Sequence, residues 1–169
     1  MSDGQADNGI APKHEHQHTY LCVIDASEEV HQALRYACNR AKHIGGRIAL
    51  LYVIAPAEFD HWMAVRDLMI QEQREEAEEM LRVVSSTVQK RSGAMPVMYI
   101  REGNVLDEMF KLISEEDAEI SQLVLGAATG PSGPGPLITQ LTQKMAGKLH
   151  IPIAIVPGNM SNEEIDRIT

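Results

Sequence analysis

The residues best suited to chemistry lie between positions 121 and 157, where an apolar run opens into a glycine-rich loop, an amphipathic segment and a second apolar run. In α/β proteins, a strand that leads through such a loop into a helix can bind an anion, because glycine allows close approach of the backbone and the helix end offers unpaired N–H groups. The pattern therefore predicts an anion site after Gly126. Pro131, Pro134 and Pro136 remove backbone donors from the same loop, so a rigid surface loop is the competing interpretation.

A second candidate is Asp25, the acid that ends the apolar segment YLCVID. Its carboxylate could contact a bound ligand, or it could accept hydrogen bonds from loop amides and from the start of the next helix. Ser27 is the predicted N-cap of that helix, because short hydroxyl side chains accept hydrogen bonds from the first helical N–H groups. An aspartate suits both roles equally, so both interpretations stay open at this point.

Hydrophobic periodicity predicts five strands that alternate with four helices. The strands fall at residues 20–25, 47–54, 95–101, 123–126 and 152–156, and the helices at about 30–44, 62–92, 105–113 and 137–149. This alternation predicts βαβ units, whose right-handed crossovers give a parallel sheet with helices on both faces. Residues 1–18 are predicted to be a disordered polar arm, residues 19–157 a single α/β domain and residues 158–169 a polar tail.

The composition argues against several kinds of partner. The chain has 169 residues and a net charge of −9, whereas proteins that bind nucleic acid or anionic membranes need basic patches. The sequence predicts neither a transmembrane helix nor a signal peptide. Cys22 and Cys38 lack CxxC spacing, which predicts buried, reduced thiols in a cytoplasmic protein. His14, His16 and His18 could bind a transition metal adventitiously, but a polar arm without apolar anchors predicts no folded metal site.

No common catalytic motif is present. The sequence has no G-x-S-x-G elbow, no H-E-x-x-H and no P-loop with its lysine. A nucleotide-activating pyrophosphatase would need S-G-G-x-D-S after the first strand, where this chain has DASEEV. A phosphoryl receiver domain would need Asp after the third strand and Lys after the fifth, where this chain has Arg101-Glu102 and Pro157-Gly158. We therefore predict no catalytic residue.

The order of five short segments resembles the universal stress protein family, of the adenine-nucleotide α-hydrolase-like superfamily. These segments are VIDASEE at 23–29, LYVI at 51–54, REGN at 101–104, LVLGAATG at 123–130 and KLHIPIAIVP at 148–157. The resemblance covers residues 19–157 and implies a Rossmann-like, five-stranded parallel sheet of order 3-2-1-4-5. In that order the first and fourth strands are neighbours, so Asp25 and Gly126 should border one crevice. The resemblance also implies a cytoplasmic stress-response protein that forms a homodimer.

A subset of the family binds ATP through the pattern G-x-x-G-x9-G-[S/T] after the fourth strand. Laid on this chain, the pattern falls on Gly126, Thr129 (with Gly130 next), Thr139 and Gln140. Thr139 adds a β-branched side chain where phosphate would approach, and Gln140 is larger than the hydroxyl residue of the motif, so we expect weak or absent triphosphate binding. The resemblance also places Asp25 near adenine and ribose, and the Val53 backbone beside adenine. The candidate nucleotide-binding residues are therefore Asp25, Ala26, Ser27, Val53, Gly126, Thr129, Gly130, Thr139 and Gln140.

The leading hypothesis is a non-catalytic, dimeric stress-response protein that acts by binding a ligand or an unidentified protein partner. The alternative is a sensor of the same fold that binds ATP or AMP. The sequence identifies no certain cofactor, although ATP or AMP could bind. Measurable ATP hydrolysis would instead favour an enzyme. An apolar, uncharged edge strand invites pairing, so we expect the dimer to form through the fifth strand, at Ile153, Ala154, Ile155 and Val156. A tail that folds back over this edge is the competing interpretation.

Overall fold

Five strands form one parallel sheet in the order β3-β2-β1-β4-β5 in the computed structural model, which describes residues 17–56, 63–144 and 149–169. The strands are β1 (Thr19–Val23), β2 (Arg47–Ile54), β3 (Val97–Glu102), β4 (Ile120–Ala127) and β5 (Ile153–Pro157). The helices are α1 (Val30–Ile44), α2 (Met63–Ser92), α3 (Val105–Ser114), α4 (Pro136–Lys144) and α5 (Asn162–Ile168), with a short 3-10 helix at Glu116–Ala118. The predicted fold class and strand order are confirmed. Residues 1–16 of the predicted disordered arm (residues 1–18) lie outside the described residues, as do residues 145–148 near the end of the fourth predicted helix.

The sheet separates two apolar clusters, because alternate residues of a strand point to opposite faces. On one face, Tyr20 and Cys22 of β1 pack with buried residues of α1, α2 and α5. On the other face, Leu21 and Val23 pack with buried residues of α3 and α4. β1 is therefore covered on both faces of the sheet, which explains why its sequence is a nearly continuous apolar run.

The start of α1 differs from the prediction. Ser27 is not the N-cap: α1 begins at Val30, and Glu29 occupies the N-cap position without a side-chain capping bond. The Ser27 N–H instead donates to Asp25 Oδ1 at 2.8 Å. The Asp25 carboxylate thus closes a local turn directly after β1, and that turn delays the first helical residue.

A fifth helix forms at the C-terminal end of the described chain, where the sequence analysis assigned no secondary structure. Ser161 and Glu164 form a reciprocal capping box at the start of α5, and Ile165 is fully buried in the cluster beside α1. Arg35 and Asn39 of α1 donate hydrogen bonds to Asp166; these bonds lower the pKa of Asp166 to about 2, so its carboxylate stays ionised at neutral pH. α5 therefore packs on α1, while Ile155 of β5 remains 45% exposed.

Candidate functional site

A crevice with two lobes opens at the carboxyl ends of the central strands. It forms there because β1 and β4 run parallel, with Leu21 opposite Leu123, and their ends meet the first turns of α1 and α4. The β4 lobe, of about 220 Å³, is lined among others by Asp25, Ser27, Glu29, Gly126 and the loop residues 134–136. The β2 lobe, of about 280 Å³, lies towards β2 and α3, and its lining includes Asp25, Ala26, Tyr52, Val53, Asn104 and Gln140. Val23, Asp25, Pro136 and Leu137 line both lobes and mark the junction between them.

The crevice brings together six of the nine candidate residues. Asp25, Ser27 and Gly126 line the β4 lobe, and Ala26, Val53 and Gln140 line the β2 lobe together with Asp25. The expected proximity of Asp25 to Gly126 is therefore present. Their participation in ligand binding stays a prediction.

The remaining three candidates, Thr129, Gly130 and Thr139, line neither lobe. Thr139 lies on the exposed side of α4, where its hydroxyl donates to the Gly135 carbonyl at 2.9 Å and its N–H donates to the same oxygen at 3.1 Å. Its β-branched side chain thus does not enter the crevice, contrary to the expectation that it would stand where a phosphate approaches.

Two backbone donors of the loop between β4 and α4 bond to carbonyl groups within the loop. The Ala128 N–H donates to the Pro134 carbonyl at 3.3 Å, and the Gly133 N–H donates to the Gly130 carbonyl at 3.2 Å. Gly133 and Gly135 have φ values of 87° and 100°, which a residue with a side chain adopts only at a cost. These turns agree with the interpretation of a rigid surface loop.

Gly126 serves the packing of α1. A Cβ atom at this position would lie 2.4 Å from the Glu29 carbonyl oxygen and 2.6 Å from the Glu29 carbonyl carbon. A Cβ atom at Gly158, just after β5, would lie 2.6 Å from Glu29 Cγ. The two glycines let the N-terminal turn of α1 sit directly on the ends of β4 and β5. The sequence analysis missed Glu29, because its contacts depend on strands that are distant in the chain.

The crevice carries negative charge. The acidic residues Asp25 and Glu29 line the β4 lobe, and none of the described residues that line either lobe is Lys, Arg or His. Asn104, in the β2 lobe, uses its Oδ1 to accept hydrogen bonds from the N–H groups of Leu106 and Asp107 at 3.0 and 3.2 Å. Asn104 therefore caps α3.

Neither thiol of the chain is a reactive nucleophile. Burial raises the pKa of the Cys38 thiol to about 11 and that of Cys22 still further above its usual range, so both are protonated at neutral pH. Within residues 17–56, 63–144 and 149–169, no three His, Cys, Asp or Glu side chains are grouped so that they could hold a metal ion. In the same part of the chain, every helix is too short or too polar to span a bilayer.

Comparison with known proteins places this geometry in context. A model of the universal stress protein family matches residues 18–157, and a search of curated protein sequences finds no match. The universal stress protein UspA from Lactobacillus plantarum superposes with a TM-score of 0.67 and 18% identity, covering 82% of this chain and 97% of that one. The Archaeoglobus fulgidus universal stress protein in complex with dAMP superposes with a TM-score of 0.58 and 15% identity, and the match covers 83% of this chain and 97% of that one. A universal stress protein in complex with cAMP superposes with a TM-score of 0.59 and 11% identity, and the match covers 85% of this chain and 98% of that one.

Proposed function

Because this chain belongs to the universal stress protein family, we propose that it is a cytoplasmic, dimeric stress-response protein that binds a small ligand and does not turn it over. The observation that carries this proposal is the two-lobed crevice at the carboxyl ends of β1, β2 and β4. Ligands of doubly wound sheets bind at this edge. The free, buried cysteines support a reducing compartment.

The class of ligand that fits the crevice best is an adenine nucleoside. The β2 lobe combines apolar walls, from Val53, Val105 and Leu106, with polar groups at Asp25 and Tyr52. Such a lobe can enclose a flat heterocycle and leave a carboxylate to accept hydrogen bonds from ribose hydroxyls. The complexes of two family members with dAMP and cAMP support this class, and they also favour the alternative of an AMP- or ATP-binding sensor.

Adenosine at tenfold its Kd should stabilise the protein by about 1.4 kcal/mol and raise its Tm by roughly 3–6 °C, because a ligand that binds only the folded state shifts unfolding by mass action. Ala26→Phe should abolish this shift by filling the mouth of the β2 lobe. Ala94→Phe is the matched control. Ala94 is an exposed alanine that precedes β3, so it lies towards the amino ends of the strands, whereas the crevice lies at their carboxyl ends. Differential scanning fluorimetry measures all three proteins.

Two results would overturn this proposal. If adenosine, AMP and ATP at millimolar concentration all left the Tm unchanged, the ligand would not be an adenine compound. Release of inorganic phosphate from ATP above the protein-free blank, lost in Ala26→Phe, would show turnover and favour an enzyme.

Dimerisation is proposed to use the free edge of β5. Among the described residues, this strand pairs with β4 only, and Ile155 at its centre is 45% exposed. Its apolar residues are Ile153, Ala154, Ile155 and Val156. An open apolar edge of this kind pairs readily with a second copy across a two-fold axis.

Ile155→Lys should convert the dimer to a monomer of 18.7 kDa, because a lysine on an edge strand opposes pairing with another strand. Ile168→Lys is the control: Ile168 is similarly exposed, at 57% against 45% for Ile155, but lies on α5, so this variant should keep the wild-type mass. Light scattering coupled to gel filtration reports both masses. A wild-type protein that elutes as a monomer at micromolar concentration would contradict the proposed interface.

A further inference from the structure

A second groove lies between α1 and α2, on the opposite face of the sheet from α3 and α4. We propose that this α1–α2 groove, of about 530 Å³, binds an amphipathic helix of a protein partner, through the apolar face of that helix and the lysine or arginine side chains that flank it. The inference goes beyond the proposed function and does not depend on a ligand in the crevice.

The floor of the groove is apolar. On one side, Val30 and Leu34 stand one helical turn apart on α1, and on the other side Met80 and Val84 do the same on α2. All four pack in the apolar cluster on this face of the sheet. Val83 also lines the groove and, at 60%, is the most exposed of the large apolar side chains that the structure describes. An open apolar surface with polar neighbours is typical of an interaction site.

The surroundings of the groove are acidic. Residues 72–79 of α2 include five glutamates and one arginine. Two of these glutamates, Glu76 and Glu79, line the groove, together with Asp25 from the turn after β1, and all three are exposed. Glu79 forms an ion pair with Arg82, whereas none of the ion pairs found among the described residues involves Glu76. None of the described residues that line the groove is Lys or Arg, so a partner of positive charge fits it.

Shape and charge together select the occupant. α2 rises about 12 Å between Glu76 and Val84, which matches about two turns of a docked helix, and helices that dock in grooves insert apolar side chains at such spacings. An acidic peptide or a nucleic acid would be repelled. A second copy of this chain would bring a net charge of −9 and the same run of glutamates, so self-association at this groove is opposed as well.

The groove can be tested separately from the crevice. The two share residues around the turn after β1, but Val83, Glu76 and Glu79 line neither lobe of the crevice. Substitutions at these three positions therefore change the groove and leave the residues of the ligand crevice as they are. The Tm shift that adenosine induces, measured on the same variants, reports the proposed function independently.

The first test uses a fluorescein-labelled model peptide of about three heptads, with leucine at the a, d and e positions and lysine elsewhere. Fluorescence anisotropy should show micromolar binding to the wild-type protein. Val83→Glu should weaken this binding about tenfold, because it places a charge in the apolar contact. Met95→Glu is the matched control: Met95 is similarly exposed, at 56%, and does not line the groove. General attraction of a basic peptide would be strengthened by an added glutamate, so a loss confined to Val83→Glu identifies the groove.

The second test removes the charge. Glu76→Gln combined with Glu79→Gln should weaken binding of the lysine peptide about fivefold and reduce its dependence on salt, because two carboxylates no longer attract the lysines. Glu75→Gln combined with Glu78→Gln is the matched control. These two glutamates lie on the same helix and do not line the groove, so their loss should change the affinity by less than about twofold.

Several results would overturn the inference. These are equal binding by the wild-type protein and Val83→Glu, equal losses in the two glutamine pairs, and no binding of the lysine peptide at high micromolar concentration. Equally tight binding of a peptide with glutamate in place of lysine would have the same meaning. A Val83→Glu protein with a lower mass than wild type in light scattering would show that a second copy occupies the groove instead. The Tm shift with adenosine, and with it the proposed function, is unaffected by any of these results.

Discussion

Replacing Gly126 with alanine should destabilise the protein by about 1–3 kcal/mol, the usual cost of forcing an extra carbon into a packed site. The added Cβ would meet the Glu29 carbonyl oxygen at 2.4 Å and the carbonyl carbon at 2.6 Å. Both are backbone atoms, so relief requires the first turn of α1 to move off the end of β4. Urea-induced unfolding followed by circular dichroism measures the free energy.

Gly130→Ala, in the loop that follows β4, provides the matched control. A Cβ atom at Gly130 would meet no atom within 4 Å, and no positive φ is recorded for this residue. Its free energy of unfolding should stay within about 0.5 kcal/mol of wild type, as for most surface substitutions. Equal stability of the two alanine variants would show that α1 does not rest on Gly126.

The stability of Gly126→Ala also tests why position 126 is a glycine. In a phosphate-binding loop, the first glycine lets the ligand approach the backbone. In this chain, the space that a side chain at position 126 would occupy is already filled by Glu29. A glycine at this position is therefore explained by packing alone and does not require a bound phosphate.

Replacing Ile165 with alanine should lower the free energy of unfolding by about 2–5 kcal/mol, because a fully buried isoleucine leaves a cavity when it is truncated. Ile165 is 0% exposed and belongs to the same apolar cluster as Val30 and Leu34 of α1. A domain of this size has a total stability of about 5–15 kcal/mol, so the loss is a large fraction. Thermal and urea unfolding of the same preparation provide the measurement.

The control is Ile168→Ala, on the same helix. Ile168 is 57% exposed, so its truncation should cost less than about 0.5 kcal/mol. If the two substitutions had equally small effects, α5 would not be docked on α1 in solution. A selective loss in Ile165→Ala would show that the last helix is part of the cooperative fold.

Local patterns in the sequence predicted most of the elements. Apolar residues at helical spacing located α1, and its end follows from Gly45, which adopts a φ of 68° at the C-cap. The order of the strands came from the resemblance, because hydrophobic periodicity does not specify which strands are neighbours. That order was sufficient to predict that Asp25 and Gly126 would border the same crevice.

Helix α5, which the sequence analysis missed, has a capping-box signal at its start. Ser161 and Glu164 stand at capping-box spacing, but seven polar-rich residues do not form a stable helix alone. α5 is stabilised by burial of Ile165 and by the hydrogen bonds from Arg35 and Asn39 to Asp166. These contacts exist only after α1 has packed on the sheet.

The sequence by itself therefore determined the α/β class, the approximate positions of the five strands and of α1 to α4, and the acid and glycine at the tips of two strands, since each depends on residues close in the chain. Only the tertiary structure decided that Glu29 rests on Gly126 and Gly158, that Glu29 is among the residues that line the β4 lobe, and that Thr139 is not. The physical reason is that charge and space in the crevice are set where β1, β4 and the first turns of α1 and α4 converge. The residues that meet there are far apart in the chain, so no local spacing records their contact.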